Sequence, residues 1–162
     1  MESLKLPTSL LNKGDVMRLM RELNALNDFF VGASVRQPGT AMQVPKTTAT
    51  LNQLAELNKA NLVDETTRKS LYTALGMLLN QAPNVHISFA SEPSPKTLEP
   101  ILIWLRNNVH PQLLLEVGLQ PSIAAGCIVR TPNKIFDFSL RSYLDKQTQY
   151  LAALVTGAVD GR

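Results

Sequence analysis

The apolar residues of this chain change their period at one place, Ala82-Pro83-Asn84, and that change limits the folds open to it. Before it, apolar residues recur every three or four positions, the period of helices packed through one face. Residues 15–31 put Val16, Leu19, Met20, Leu23, Leu26 and Phe30 on one side, with Arg18, Arg21, Glu22 and Asp28 on or near the other; Gly32 reads as the stop. Pro38, Gly39 and Pro45 then predict a loop. A second helix is expected over 48–60, with Leu51, Leu54, Ala55 and Leu57 apolar. A third is expected over 65–80, capped by Asp64 and carrying Leu71, Ala74, Leu75, Leu78 and Leu79.

After Pro83 the period becomes two. Val85-His86-Ile87-Ser88-Phe89 alternates as a half-buried strand does. Ser94-Pro95 opens a helix carrying Leu98, Ile101, Leu102 and Leu105, in which Pro100 predicts a kink or a later start near Thr97. Residues 113–119 alternate again, with Leu113, Leu115, Val117 and Leu119 on one face. Residues 126–131 and 134–138 read as a β-hairpin about Pro132-Asn133, with Asn133 suited to positive φ. A last helix opens near Ser139, capped by Asp137 or Ser139. It carries Leu140, Tyr143, Leu144, Gln147, Leu151 and Leu154, and loosens from Gly157. The expected fold is α+β: a small helical bundle over residues 1–82 and a mixed α/β domain over 83–162, with a β-hairpin and flanking helices.

Composition removes several functions. The longest apolar run, residues 101–105, is far too short to cross a bilayer, so direct membrane insertion is not expected. Met1-Glu2-Ser3-Leu4-Lys5 lacks the basic-then-apolar build of a signal peptide. One Cys forms no internal disulfide, and one Cys with two His falls short of a structural zinc set. The net charge is +3, but residues 1–82 carry 9 basic and 7 acidic groups and residues 83–162 carry 7 and 6. That even spread argues against nucleic acid, whose phosphates call for a basic stripe; the alternative of a nucleic-acid-binding module needs one built from Lys96, Arg106, Arg130 and Lys134. No phosphate-binding glycine loop, dinucleotide fingerprint or nucleophile elbow occurs. His86 and His110 have no nucleophile beside them, Cys127 reads as a small buried group, and Glu92 and Glu99 straddle a helix start. Catalytic residues, cofactors and metals are not expected.

The segment from Gln120 to Arg141 resembles the C-terminal signature of the F-type ATP synthase delta subunit family, which includes the mitochondrial oligomycin-sensitivity-conferring protein. Pro121 matches the family proline, Ile123 the aliphatic position and Gly126 the second glycine of a pair. Lys134 to Phe136 match the second strand, Asp137 and Ser139 the Asp-x-Ser, and Leu144 a helix leucine. A strand, an acidic Pro/Ser stretch, a helix and a Leu-rich strand precede the signature in the family's order, so the likeness spans about residues 84–150. Ala125 replaces the first glycine, Pro132-Asn133 the Gly-Asp turn, and Phe138 the glycine between Asp and Ser, a swap that requires negative φ at Phe138. The first half departs further, with three helices where the family has six.

The resemblance implies a stator part without catalysis, joining the catalytic head of an ATP synthase to its peripheral stalk and resisting rotor torque during proton-driven synthesis. It implies contact with N-terminal segments of the head's alpha subunits and with C-terminal ends of the stalk b subunits, at the cytoplasmic face of the cell membrane. The residues expected at such contacts are Leu19, Leu23, Leu26, Phe30, Trp104, Gly126, Asp137 and Ser139. A peripheral-stalk subunit of an archaeal- or vacuolar-type ATPase has a similar C-terminal build, but it opens on a long charged helix that the prolines at 38 and 45 oppose.

Overall fold

The computed structural model describes residues 4–35 and 45–159, without the side chains of 34, 35, 146, 149, 151 and 153–159. The loop expected about Pro38 and Gly39 and the side chains of Leu151 and Leu154 therefore lie outside the described residues. The backbone forms two compact units. One holds Met1–Pro83 and Glu99–Leu114; the other holds Asn84–Leu98 and Leu115–Arg162.

The first unit is helical. Its elements are α1 (Lys13–Val35), α2 (Ala49–Leu57), α3 (Glu65–Gln81) and most of α4 (Pro95–Asn108). Asp15 and Asn12 open α1 reciprocally: Asp15 Oδ2 accepts from the Asn12 N–H at 3.3 Å, and Asn12 Oδ1 accepts from the Asp15 N–H at 3.0 Å. The helix does not stop at Gly32, contrary to expectation. Gly32 has no positive φ, so it is simply a weak helical residue there. At the start of α2 the Thr48 hydroxyl donates to Glu22 of α1 at 2.8 Å, so one helix's carboxylate sits at the positive end of another. Lys59, at φ 51°, closes α2 with bonds from the Lys59 N–H to Glu56 O and from the Ala60 N–H to Ala55 O. Asp64 caps α3 by accepting from the Thr67 N–H at 2.9 Å.

The apolar rows of these helices meet in one core of Leu10, Val16, Leu19, Leu23, Leu26, Leu51, Leu54, Leu71, Leu75, Leu78 and Leu114. Each such side chain contributes about 1.5–3 kcal/mol on leaving water. Leu102 and Leu105 of α4 are also buried. Arg106 of α4 holds the N-terminal segment through backbone carbonyls, donating to Pro7 O at 2.8 Å and Leu10 O at 2.6 Å, and to Leu113 O at 3.3 Å.

The second unit is built on a four-stranded sheet in the order β2-β1-β3-β4. Its strands are β1 (Asn84–Phe89), β2 (Leu114–Leu119), β3 (Gly126–Arg130) and β4 (Ile135–Ser139), and it continues into α5 (Leu140–Val159). β2 runs parallel to β1: the Leu114 N–H bonds Pro83 O where both begin, and the Gln120 N–H bonds Phe89 O where both end. β3 pairs antiparallel with β1 and with β4. The sheet is therefore mixed, and the fold is α+β with a helical N-terminal part.

Of the readings at Pro100 the later start near Thr97 does not occur, and three further local expectations change. Helix α4 starts at Pro95 and runs through Pro100, with Ser94 accepting from the Thr97 N–H at 3.3 Å. Proline sits well at the first position, and Pro100 forfeits one ladder bond near the same end. Leu113, just before β2, and Leu114 and Leu115 within it are all buried, while Val117 and Leu119 are exposed. The strand starts with both faces covered and ends as an open edge, so alternation is lost. The hairpin turn has no positive φ at Asn133; the Thr131 hydroxyl closes it, accepting from the Lys134 N–H at 3.0 Å. α5 also continues past Gly157 to Val159.

Candidate interaction surfaces

Gly126, Asp137 and Ser139 come together at the corner where the hairpin turns into α5. Gly126 lies opposite Ser139 in the β3–β4 register, at φ 89°, and a Cβ there would sit 2.3 Å from Phe138 O. Only glycine fits that backbone approach. Asp137 Oδ1 accepts from the Ser139 N–H at 2.9 Å, Ser139 Oγ accepts from the Ser142 N–H at 3.1 Å, and the Leu140 N–H bonds Ala125 O. These residues fix the direction in which α5 leaves the sheet. Ser139 is buried and Asp137 exposed, beside a shallow depression of about 400 Å³ lined by Arg141, Ser142 and Asp145 as well. The φ of Phe138 is negative, as its substitution for glycine requires.

From that corner the unit presents apolar side chains to solvent. Along α5, Leu140, Tyr143, Leu144 and Tyr150 are exposed, Tyr143 by 61 %. On β4, Ile135, Phe136 and Phe138 are exposed too, and the two phenyl rings stack with centroids 6.3 Å apart. Sequence periodicity places Tyr143 and Leu144 in a helical row without saying what covers it, because an apolar helical row looks the same whether its cover is the chain's own or a partner's.

In the helical unit, Leu19, Leu23 and Leu26 are each 2 % exposed and make core contacts. A partner could touch them only if that core opened. Phe30 is partly buried, edge-on to Phe29, with the Arg68 guanidinium 4.5 Å from its ring centre. Trp104 is 60 % exposed, and Ile103 and Val109 are exposed as well. The eight expected residues thus fall into two groups, one in each unit.

Two buried or half-buried arginines play parts that no sequence pattern signals. Arg68 donates to Leu62 O at 2.9 Å, Val63 O at 2.7 Å and Asn27 Oδ1 at 3.3 Å. Burial of Arg106 pulls its pKa down to about 10. With Arg106 on carbonyls and Arg130 donating to Ser88 and Gln120, two of the four cations that a nucleic-acid face needs are engaged internally. Burial raises the Cys127 thiol's pKa and so disfavours the nucleophilic thiolate. His110 Nδ1 accepts from the Gln112 N–H in a loop. Among the described residues, no three His, Cys, Asp or Glu side chains are grouped to hold a metal ion, and no helix is long and apolar enough to cross a membrane.

A family model described as ATP synthase delta (OSCP) subunit matches residues 34–151. The match starts well upstream of residue 84, so it takes in α2 and α3 as well as the hairpin. No curated protein matches the chain.

Proposed function

The chain belongs to the ATP synthase delta (OSCP) subunit family, whose members are peripheral-stalk parts of that complex, and from this premise we propose that it is a stator connector without catalysis of its own. It links the catalytic head to the stalk helices and resists rotor torque during proton-driven ATP synthesis. The helical unit takes N-terminal segments of alpha subunits, and the sheet unit takes the C-terminal ends of b subunits. The connector acts as a peripheral protein at the cytoplasmic face of the membrane.

The observation that carries this reading is the apolar row of α5 continued by the β4 phenyl rings. A helix exposing Leu140, Tyr143, Leu144 and Tyr150 suits a helical partner laid along it. Tyrosine and tryptophan are favoured anchors at such contacts, and Trp104 offers one on the other unit. A joint under torque needs slow dissociation. Nanomolar affinity, about −12 kcal/mol, calls for roughly 1,200–2,000 Å² of buried surface.

The test is recovery of the tagged chain from native membranes. Head and stalk subunits should accompany it, and Tyr143→Asp with Leu144→Asp should release the stalk subunits while circular dichroism stays unchanged. Recovery of the folded chain without any ATP synthase subunit refutes the proposal.

A further inference from the structure

Strand β2 borders the sheet and pairs with β1 alone. In a parallel pair, every second residue turns both its N–H and its C=O to the neighbouring strand, and the residues between turn theirs away. The Leu114 N–H bonds Pro83 O and the Gln120 N–H bonds Phe89 O, so residues 114, 116, 118 and 120 face β1. Val117 and Leu119 therefore direct their backbone groups to the open border, and their side chains are exposed as well. Such a border invites another strand unless charge, proline or a bulge blunts it. Residues 114–119 contain no proline and no lysine, and Glu116 is their single charge. Glu116, Gly118 and Gln120 share a face with His86 and Ser88: a Cβ on Gly118 would sit 2.6 Å from His86 Nε2 and 3.6 Å from Ser88 Oγ. Arg130, opposite His86 in the β1–β3 register, reaches across β1 on that face, donating to Ser88 Oγ at 3.2 Å and Gln120 Oε1 at 3.4 Å. Among the described residues, neither Arg130 nor Glu116 makes an ion pair.

We propose that β2 pairs antiparallel with β2 of a second copy of this chain, about a two-fold axis through Gly118, so that the two sheets become one. The run Glu116-Val117-Gly118-Leu119-Gln120 complements itself in that register, as a two-fold interface requires. Val117 and Leu119 of one copy exchange backbone bonds with Leu119 and Val117 of the other, and these aliphatic side chains pack together on one face. On the opposite face the two Gly118 residues meet at the close spacing of a non-bonded pair. Glu116 stands beside Gln120 of the second copy, next to the Arg130 that bonds that glutamine, so each unpaired carboxylate gains an unpaired cation. The two Glu116 residues stay about 13 Å apart along the strands, which keeps like charges separate. A register centred on Val117 would set Glu116 opposite glycine and forfeit the charge pair. The border is short, so the interface is smaller than a standard one and the association is weak, in roughly the micromolar range. No residue of the α5 and β4 surface takes part, so this pairing stands or falls apart from the stator reading.

The test is sedimentation equilibrium of the full chain from about 5 to about 500 µM, with amide exchange at both ends of that range. A monomer–dimer equilibrium is expected, and the Val117 and Leu119 amides should gain protection as concentration rises. Val117→Pro removes a donor that no bond to β1 uses, so it should abolish the dimer while circular dichroism stays unchanged. Glu116→Arg, at an exposed position, sets a cation beside Arg130 and should weaken the dimer about tenfold. Tyr143→Asp on α5 should leave it unchanged. A chain that stays monomeric throughout the range, a dimer that tolerates Val117→Pro or Glu116→Arg, or one that Tyr143→Asp abolishes would each overturn the proposal. Recovery of ATP synthase subunits from membranes bears on the stator reading alone, so the two can fail separately.

Discussion

Replacing Arg106 tests whether a cation satisfied only by backbone carbonyls holds the helical unit closed. The guanidinium makes short bonds to Pro7 O and Leu10 O, and a long one to Leu113 O. A hydrogen bond to a charged group contributes about 1.5–3 kcal/mol net, and part-burial places these near the lower bound. Arg106→Met keeps the stem's packing and removes both short bonds, for a loss of about 3 kcal/mol. In a chain of this length that lowers Tm by roughly 6–12 °C. Arg106→Lys retains one carbonyl, so about half the loss is expected. A pKa of about 10 keeps the group charged throughout neutral buffers. The assay is urea unfolding followed by fluorescence of Trp104, the chain's single tryptophan, which sits on the same helix. Arg106→Met unfolding within about 0.5 kcal/mol of the parent would refute the reasoning, since surface substitutions commonly fall in that range.

Gly126→Ala should cost about 2–4 kcal/mol in the same unfolding assay, because its Cβ meets Phe138 O in a left-handed backbone, whereas Gly32→Ala, with nothing within 4 Å, should gain up to about 1 kcal/mol. Gly118→Ala drives a methyl to 2.6 Å from the His86 imidazole and should cost about 1–3 kcal/mol; His86→Ala should recover most of that in a double-mutant cycle. Asp64 is held at a pKa of about 2 by the Thr66 and Thr67 hydroxyls and the Thr67 N–H. Its folded value is below its unfolded one, so its stabilisation of α3 is complete above about pH 4 and is lost as pH falls towards 2. Amide exchange at Thr67 across that range, with Asp64→Ala as a flat control, measures it.

The parts of the fold legible in the sequence are those governed by near neighbours. Asp64 as the cap of α3, Ser139 as the cap of α5, the hairpin about Pro132-Asn133 and the order of elements all depend on bonds spanning a few residues. Gly32 misled because a glycine stops a helix only when its backbone turns left-handed, and the φ of Gly32 is not positive. The proposed contact surface was legible only in part. Leu19, Leu23 and Leu26 form an apolar row that the unit's own core consumes, while Tyr143 and Leu144 form an equally apolar row that it leaves open.

Periodicity and capping alone determined that this chain makes helices first and strands with flanking helices after them, because these elements are set by local geometry. Only the tertiary structure decided that residues 99–114 pack with the helical unit, that Arg106 and Arg68 are buried on carbonyl oxygens, and that Gly126 must be glycine. Those facts depend on atoms brought together from distant positions: Pro7 and Arg106 are 99 residues apart. Periodicity reports which residues avoid water, whereas the other surface that covers them is chosen by the packing of the whole chain.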